Sequence, residues 1–337
     1  MKIVVDDKIP YIRPSLEKMG VDVVYKNGSG IGPDDVRDAD ALVVRTRTRC
    51  DARLLEGSRI RYVATATIGF DHIDVDYLDS KGIAWMNCPG CNAGSVEQYL
   101  RSCLLLLERE HGLCLQQTTL GVVGCGHVGS RIVRMARELG MEVLVCDPFL
   151  PQEGLVDRAV IESCSDIITY HVPLTREGTH PTFHLCHEGS FGRMRRHPLI
   201  INTSRGEVVD NQALLQALQD GLVRDAIIDT WEHEPQISLP LLERVMIGTP
   251  HIAGYSADGK VNADNMVIDG LCRFFSLPHP GRVEAPSLPS AFRYTGDPLQ
   301  LYDPRTDSRA LKSHPDWFER LRGDYPLRRE HADRFCQ

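Results

Sequence analysis

The chain has 337 residues, 42% of them hydrophobic and 25% charged, and this length predicts two domains or more. The formal net charge of −8 at pH 7 argues against general binding to nucleic acid or to membrane surfaces, so we expect neither partner. No apolar run approaches the roughly 20 residues that span a bilayer, and the N-terminus enters a predicted strand directly instead of an apolar signal segment.

Short apolar runs alternate with polar stretches of helical spacing in the first part of the chain. The predicted strands there cover residues 3–5, 21–24, 41–44, 62–64 and 83–86. Such alternation predicts a parallel sheet with helices on both faces, and ligands of such sheets bind at the carboxyl ends of the strands. One of these ends, residues 45–49, alternates arginine with threonine, a set suited to an anion such as a phosphate. An ordinary solvated edge strand is an equally good interpretation of this segment.

Two cysteines, Cys88 and Cys91, enclose a Pro-Gly pair at the end of this part. Their spacing allows a redox or zinc site, but no second C-x-x-C or histidine pair completes a set of metal ligands. We therefore predict two thiols in a loop and no metal. The 11 cysteines of the chain have no regular spacing, which is typical of reduced thiols in a cytoplasmic protein.

A strand, a glycine-rich turn, a helix and a second strand are predicted over residues 119–147. The turn has the pattern G-x-G-x-x-G, and its residues are Gly124, Gly126, His127, Val128 and Gly129. The first glycine makes a tight turn, the second lets a pyrophosphate approach the backbone, and the third lets the helix pack closely on the strand. The N–H groups at the helix N-terminus would bind the anion. Because strand, turn and helix occur in the required order, we predict a dinucleotide site.

An acidic residue, Asp147, ends the second strand of this unit, eighteen residues after the last glycine. Its carboxylate would bond the ribose hydroxyls and repel the 2′-phosphate of NADP. The next two residues, Pro148 and Phe149, provide no cation for such a phosphate. The predicted cofactor is therefore NAD.

Three candidate catalytic residues follow later predicted strands, which cover residues 199–202, 226–228 and 245–247. These candidates are Arg205, Glu234 and His251. Hydride transfer at a 2-hydroxy acid needs a cation for the carboxylate and an acid–base group for the hydroxyl, which arginine and histidine provide. A carboxylate beside the imidazole raises its pKa and fixes its tautomer. By position alone, two neighbours compete for these roles, Glu232 and His233.

Two long helices, predicted over residues 95–110 and 260–275, flank the cofactor unit as connectors. From residue 278 the composition shifts to proline, serine and charge, which is typical of a linker. Asp303-Pro304 predicts a helix start, and another helix is predicted over residues 315–322. This tail has little apolar sequence of its own, so we expect it to pack on a partner or on the body of the chain.

The chain resembles the D-isomer-specific 2-hydroxyacid dehydrogenases from residue 1 to about residue 275. The marks of this resemblance are the glycine motif and residues 171–174, 202–206, 229–235 and 249–254. It implies that the catalytic arginine, glutamate and histidine of the family fall on Arg205, Glu234 and His251, which would settle both competitions above. The residues expected to contact NAD, besides the glycine motif, are Asp147, Val172, Ser204, Asp229 and Gly254.

Further stretches resemble a branch of this family that oxidises a phosphorylated acid, 4-phospho-D-erythronate, in pyridoxal phosphate (vitamin B6) biosynthesis. They cover residues 1–11, 65–72, 89–93, 252–256 and 321–330. In that branch, substrate contacts fall on positions that match Thr46, Thr67 and Tyr255, and we add Arg45 as a cation for the phosphate. The resemblance also implies a homodimer formed through a C-terminal domain, which is shorter in this chain. The alternatives are another acid, such as 3-phosphoglycerate, or a non-catalytic NAD-sensing scaffold on the same fold.

These observations predict an α/β protein with two Rossmann-like, doubly wound parallel-sheet domains and a small C-terminal dimerisation segment. The predicted substrate domain comprises residues 1–93 and 258–280, the NAD-binding domain residues 94–257, and the dimerisation segment residues 281–337. If Thr46 contacts the substrate, the preceding strand should end near Val44 and the loop should curl. An extended segment would instead place Thr46 and the neighbouring arginines on opposite faces.

Overall fold

The computed structural model describes residues 1–151 and 153–332. These residues form two compact units. The first comprises Met1–Asn92 and Ser256–Pro289, and the second comprises Ala93–Tyr255 and the described residues from Ser290 onward. Within the described residues, no helix combines the length and the apolar character that are needed to cross a membrane.

The first unit is built on a parallel five-stranded sheet with the order β2-β1-β3-β4-β5. Its strands are β1 (Lys2–Asp6), β2 (Asp22–Lys26), β3 (Ala41–Val44), β4 (Tyr62–Thr65) and β5 (Ala84–Met86). Its helices are α1 (Arg13–Glu17), α2 (Pro33–Val36), α3 (Ala52–Leu55), α4 (Val75–Ser80) and α11 (Ala257–Phe275). Every residue of β3 and β4 is buried, because apolar clusters cover both faces of the sheet.

The second unit is built on a parallel six-stranded sheet with the order β11-β10-β9-β8-β6-β7. Its strands are β6 (Thr119–Val123), β7 (Glu142–Cys146), β8 (Ile167–Tyr170), β9 (Leu199–Asn202), β10 (Asp225–Ile228) and β11 (Ile247–Gly248). Its helices are α5 (Ala93–His111), α6 (His127–Glu138), α7 (Arg158–Cys164), α8 (Glu188–Phe191), α9 (Asn211–Gln219), α10 (Leu239–Arg244), α12 (Pro304–Ser313) and α13 (Phe318–Gly323).

Both sheets are doubly wound, which confirms this part of the predicted fold class. In each, the second strand lies on one side of the first strand and all later strands lie on the other. The order therefore reverses between β1 and β3 in the first unit and between β6 and β8 in the second. Ligands of such sheets bind outside the carboxyl ends of the strands at this reversal. The glycine loop follows β6, and the arginine- and threonine-rich segment follows β3, so both lie at favoured positions.

Most predicted elements lie within a few residues of their predicted bounds, and the local chemistry explains where they begin and end. Helix α12 begins as predicted, with Oδ1 of Asp303 accepting a 3.0 Å hydrogen bond from the N–H of Arg305. After α6, Gly140 takes the left-handed conformation with φ +80° that suits the end of a helix. The strand predicted over residues 245–247 is displaced, because Val245 is the C-cap of α10.

The C-terminal tail packs within the second unit, on the body of its own chain. Leu311 and Phe318 are buried in an apolar cluster of that unit. The N–H of Gly248 donates a 3.1 Å hydrogen bond to Oγ of Ser308, which joins β11 to α12. We expected the tail to pack either on a partner or on the body of the chain, and the structure shows packing on the body. A dimerisation role for the tail stays a prediction.

Candidate active site

The glycine loop after β6 leaves no room for side chains at two positions. Gly124 has φ +88°, and a Cβ on it would lie 2.5 Å from the carbonyl oxygen of His171. A Cβ on Gly129 would lie 2.0 Å from the carbonyl oxygen of Gly124. A Cβ on Gly126 would meet nothing within 4 Å, so this glycine faces open space through which a pyrophosphate can approach.

Helix α6 begins at His127, with Gly126 as its N-cap. Because Gly126 has no side chain to accept bonds from the first turn, the N–H groups there, including that of Val128, can point at an anion. Val172, which follows β8, lies against the loop, since a Cβ on Gly124 would be 2.7 Å from its Cγ1. These positions fit a dinucleotide, and the individual contacts stay predictions.

Asp147 follows β7 and lies beside the glycine loop. Its Oδ2 accepts a 2.8 Å hydrogen bond from the N–H of Cys125, and its Oδ1 accepts one of 3.0 Å from the N–H of Phe149. The partly exposed carboxylate is therefore held beside the glycine loop, and its contact with the ribose hydroxyls of a dinucleotide stays a prediction.

Replacing Asp147 with alanine should weaken NADH binding roughly ten- to a hundredfold and narrow the preference for NADH over NADPH. The first effect follows from losing a charge-assisted hydrogen bond of about 1.5–3 kcal/mol, and the second from losing the repulsion of a 2′-phosphate. Titrations of both dinucleotides, followed by protein fluorescence, would measure the two changes. The matched control is Asp157→Ala, because Asp157 is exposed and its side chain makes no capping hydrogen bond at the start of α7. Tighter binding of NADPH by the wild-type protein would contradict the prediction.

Three adjacent strands bring the predicted catalytic residues together. Arg205 follows β9, Glu234 follows β10 and His251 follows β11, and these strands are neighbours in the sheet. The three residues line one cavity of about 230 Å³, whose other lining residues are Gly206, Glu207, Trp231 and His233. A Cβ on Gly206 would lie 1.9 Å from the carbonyl oxygen of Trp231, so only glycine lets the two loops approach this closely.

His251 and Glu234 form a hydrogen-bonded pair, with 2.8 Å between Nδ1 and Oε2. Oε1 of Glu234 accepts a 2.9 Å bond from the N–H of Trp231. Burial acts to raise the pKa of Glu234, but the bonds and the charge around it outweigh burial and hold this pKa below its ordinary value. The ionised carboxylate favours a proton on Nδ1, which leaves Nε2 of His251 free to exchange a proton with a substrate.

The geometry distinguishes Glu234 from its competitor Glu232. Oε1 of Glu232 is 2.7 Å from Nε2 of His184, and its Oε2 accepts a 2.8 Å bond from the N–H of Asn211. Nδ1 of His184 is in turn 3.5 Å from Oδ2 of Asp210. Glu232 thus belongs to a separate group that the sequence did not indicate. The other competitor, His233, also lines the cavity, but the bond to Glu234 described above is made by His251.

Arg205 lies on a turn that the side chain of Asn202 stabilises by hydrogen bonds. Oδ1 of Asn202 accepts hydrogen bonds from the N–H and the hydroxyl of Ser204, at 3.1 and 2.8 Å. Nδ2 of Asn202 donates to the carbonyl of Arg205 at 2.8 Å, and Nη1 of Arg205 donates to the carbonyl of Ser204 at 2.9 Å. The predicted contact of Ser204 with the cofactor stays a prediction, while its place in this turn is observed.

Asp229 braces the loop that carries His251. Its Oδ1 accepts bonds from the Thr249 hydroxyl at 2.7 Å and the Ile252 N–H at 2.8 Å, and its Oδ2 accepts one from the Ala253 N–H at 2.9 Å. Burial raises the pKa of Asp229, and these bonds and the charge of His251 act against that rise without cancelling it. A contact of Asp229 with the cofactor stays a prediction beside this observed role.

Arg328 supports the same loop and was missed by the sequence analysis. It is 4% exposed, and its Nη1 donates to the carbonyl of Ile252 at 3.2 Å. Its Nη2 donates to the carbonyl of Ser95 and its Nε to Oε1 of Gln98, both at 2.7 Å. These bonds hold the backbone next to Gly254. The resemblance marked the stretch that contains Arg328 but assigned it no task.

Tyr255 packs against the C-terminal tail. Its ring meets that of Tyr325 edge to face, with 5.7 Å between the ring centres and an angle of 89°. The hydroxyl of Tyr325 donates a 2.9 Å hydrogen bond to Oδ2 of Asp307, and this bond holds the Tyr325 ring in place against Tyr255. The predicted contact of Tyr255 with the substrate is not itself observed.

In the first unit, β3 ends at Val44 and the chain then turns, so the predicted strand end and curl are confirmed. Nη1 of Arg45 donates a 2.8 Å bond to the carbonyl of Lys8, which follows β1. Thr46 is exposed, and the Thr67 hydroxyl donates to the carbonyl of the residue two positions later at 2.8 Å. Their contacts with an anion or a substrate stay predictions.

A buried carboxyl group, that of Asp264 on α11, lies within electrostatic reach of Arg45. Asp264 is 1% exposed, and neither of its oxygens has a hydrogen-bond partner among the described residues. Burial raises the pKa of Asp264 to about 8, against the charges of Arg45 and Lys260. The pKa of Lys260 is lowered by burial and by the charge of Arg45. Neither residue of α11 was indicated by the sequence.

A family model, D-isomer specific 2-hydroxyacid dehydrogenase, NAD binding domain, matches residues 98–253. An erythronate-4-phosphate dehydrogenase of Bacteroides fragilis is 52% identical, over 98% of this chain and 97% of its own length. Among solved structures, an NAD⁺-bound 3-phosphoglycerate dehydrogenase of Entamoeba histolytica gives a TM-score of 0.69 at 27% identity, over 82% of this chain and 95% of its own. A D-lactate dehydrogenase of Aquifex aeolicus, complexed with NAD and lactic acid, gives 0.68 at 25% identity, over 82% and 96%.

The two sheets, the glycine loop and the matching domain define an NAD-dependent dehydrogenase of the D-isomer specific 2-hydroxyacid class. The two solved structures are named for different acids, so the fold alone does not select the substrate. The Bacteroides fragilis relative matches this chain over nearly the full length of both proteins. The chain belongs to the erythronate-4-phosphate dehydrogenase family.

Proposed function

We propose that this protein oxidises 4-phospho-D-erythronate to 2-oxo-3-hydroxy-4-phosphobutanoate with NAD⁺, a step of pyridoxal phosphate (vitamin B6) biosynthesis. The observation that carries the chemistry is the 2.8 Å pair of His251 and Glu234 in a cavity that Arg205 also lines. The identity of 52% with an erythronate-4-phosphate dehydrogenase supports the choice of acid.

In this reaction His251 takes the proton of the C2 hydroxyl through Nε2. Glu234 stabilises the imidazolium that forms, because its ionised carboxylate is already bonded to Nδ1. Arg205 binds the C1 carboxylate with two parallel bonds and orients C2. Bound NAD⁺ supplies the acceptor for the hydride that leaves C2.

NAD would be held by the second unit. The open face of Gly126 and the first turn of α6 suit the pyrophosphate, and Asp147 suits a ribose. We assign the substrate's phosphate to the first unit, where Arg45 and Thr46 follow β3. A dianionic phosphate would benefit from the Arg45 guanidinium.

A substrate panel tests this proposal. The turnover of NAD⁺ would be followed by NADH absorbance with 4-phospho-D-erythronate, 3-phosphoglycerate and unphosphorylated erythronate. We expect the highest kcat/KM for the first acid. A higher value for 3-phosphoglycerate would assign the protein to that reaction instead, and the lack of turnover of any 2-hydroxy acid would favour an NAD-sensing scaffold.

We further propose a cytoplasmic homodimer in which the tail from residue 281 contacts the second copy. All described cysteines are free, as is usual in reducing compartments, and two-fold dimers are the commonest closed assembly. Light scattering at micromolar concentration should give twice the mass of one chain. A monomer with full activity would contradict the proposal.

A further inference from the structure

Three side chains at the carboxyl end of β4 form a chain of hydrogen bonds in the first unit. Nε2 of His72 lies 3.0 Å from Oγ1 of Thr65, and this oxygen lies 2.6 Å from Oγ1 of Thr67. The Thr67 hydroxyl in turn lies 2.8 Å from the carbonyl oxygen of Gly69. Thr65 is fully buried and Thr67 is half-buried, so the chain of bonds leads from the interior of the unit towards its surface.

The bond to Gly69 fixes the direction of the other two bonds. A carbonyl oxygen only accepts, so the single proton of the Thr67 hydroxyl is donated to Gly69. Thr67 has no second proton, and the 2.6 Å bond must therefore be donated by Thr65. Thr65 has then used its own proton, so the bond to His72 must be donated by Nε2–H. Burial lowers the pKa of His72, and the neutral ring carries its one proton on Nε2.

Backbone bonds hold Thr67 beside the strand end that carries the candidate phosphate ligands. The N–H of Cys88 donates to the carbonyl of Thr67 at 2.9 Å. The N–H of Ala66 donates, also at 2.9 Å, to the carbonyl of Val44, the last residue of the neighbouring strand β3. The Thr67 hydroxyl is therefore held at the edge of the sheet where β3 ends and Arg45 follows.

The direction of the bonds leaves Thr67 with a lone pair for a ligand, but with no proton. A hydroxyl oxygen accepts two hydrogen bonds, and Thr65 uses one of these positions. A carboxylate and a dianionic phosphate also only accept, so neither is a partner for the remaining lone pair. The hydroxyl at C2 of 4-phospho-D-erythronate gives its proton to His251 in the proposed reaction. The hydroxyl at C3 is the donor that remains.

We propose that Thr67 is a specificity-determining residue, whose hydroxyl oxygen accepts a hydrogen bond from the C3 hydroxyl of the substrate. The inference rests on the proposed function, since it takes 4-phospho-D-erythronate as the substrate. The first unit would then recognise a 2,3-dihydroxy acid as well as a phosphate. In 3-phosphoglycerate the oxygen at C3 carries the phosphate and has no proton to donate, so this contact would also separate the two candidate acids.

The test compares kcat/KM for 4-phospho-D-erythronate with that for its 3-deoxy analogue, D-2-hydroxy-4-phosphobutanoate. The wild-type protein should prefer the first acid roughly three- to thirtyfold, because the analogue leaves the lone pair without a donor. Thr67→Val should remove most of this preference, whereas Thr67→Ser keeps the hydroxyl and should retain it. A general disturbance of the fold would lower both values and leave their ratio unchanged.

The matched control is Thr118→Val in the second unit. The hydroxyl of Thr118 also donates to a backbone carbonyl, that of Cys114 at 2.7 Å. This variant therefore loses the same kind of bond away from the first unit. It should keep both the kcat/KM values and their ratio.

A second measurement tests the direction of the bonds without turnover. Long-range nitrogen–proton correlation spectra of the histidine rings distinguish a proton on Nε2 from one on Nδ1. The signals of His72 would be assigned from their loss in His72→Gln. Slightly above neutral pH, we expect the ring of His72 in the wild-type protein to carry its proton on Nε2.

Three results would overturn the inference. The first is equal kcat/KM for the two acids in the wild-type protein, and the second is a wild-type preference that persists in Thr67→Val. The third is a His72 ring with its proton on Nδ1. The first and third results need no variant at Thr67, so they decide the matter even if Thr67→Val does not fold. A failure of the proposed function would appear separately, as a lack of turnover of both acids by the wild-type protein.

Discussion

Replacing His251 with asparagine should lower kcat roughly 10²–10⁴-fold, while NADH still binds. General acid–base catalysis contributes about this factor, which equals about 2.7–5.4 kcal/mol of transition-state stabilisation. Asparagine has no group that takes a proton near neutral pH, so the C2 hydroxyl would lose its base. The backbone should tolerate the change, because His251 has φ +56° and asparagine is among the residues that accept the left-handed region. Single-turnover kinetics and fluorescence titration of NADH would separate chemistry from binding.

The control for this variant is His197→Asn. His197 has φ +46° and is therefore matched to His251 in backbone conformation, but its Nδ1 bonds the carbonyl of Gly221 at 2.6 Å, outside the cavity. Its replacement should leave kcat unchanged. Near-normal turnover of His251→Asn would show that another group takes the proton. His233→Asn would then be the next variant to measure, since His233 lines the same cavity.

The second large effect concerns the phosphate. Arg45→Ala should raise KM for 4-phospho-D-erythronate roughly ten- to a hundredfold, because a charge-assisted contact contributes about 1.5–3 kcal/mol. The slow turnover of unphosphorylated erythronate should barely change. Initial rates over a range of both acids would measure the difference. Equal losses on both acids would show that Arg45 serves the fold and that the phosphate is bound elsewhere.

The surroundings of Arg45 make this variant interpretable. Its charge acts to lower the pKa of the buried Asp264, which burial raises to about 8. Asp264 therefore already carries a proton near neutral pH, and removing the arginine favours this neutral form further, so no unpaired charge is left buried. Arg49→Ala is the control, because Arg49 is exposed and pairs with Asp51 at 3.1 Å. It should leave KM unchanged.

Much of the scaffold could be predicted because its signals are local. The glycine motif fixes a turn that the steric limits at Gly124 and Gly129 require. The strand end at Val44 followed from the period of an extended chain together with the substrate contact of Thr46 that the resemblance implied. The helix start at Asp303 followed from the capping preference of aspartate.

The partners of individual side chains could not be predicted, since sequence spacing does not fix where a loop side chain points. Glu232 and Glu234 are two positions apart on one loop, and only the fold assigns the first to His184 and the second to His251. Composition also does not reveal which charged side chains are buried. Arg328 lies in a charged tail with few apolar residues, a composition typical of an exposed surface, and yet it is buried.

The hydrogen bonds of Arg328 join segments of the chain that are synthesised at different times. Ile252 and Arg328 are 76 positions apart, and Ser95 and Arg328 are 233 apart. At roughly 5–20 residues per second, a ribosome needs about 4–15 seconds to pass from Ile252 to Arg328. During this interval the sheet of the second unit can be complete while the loop with His251 lacks its tie to the tail. The nascent chain would therefore fold the sheet of its second unit first and complete the loop that carries His251 last.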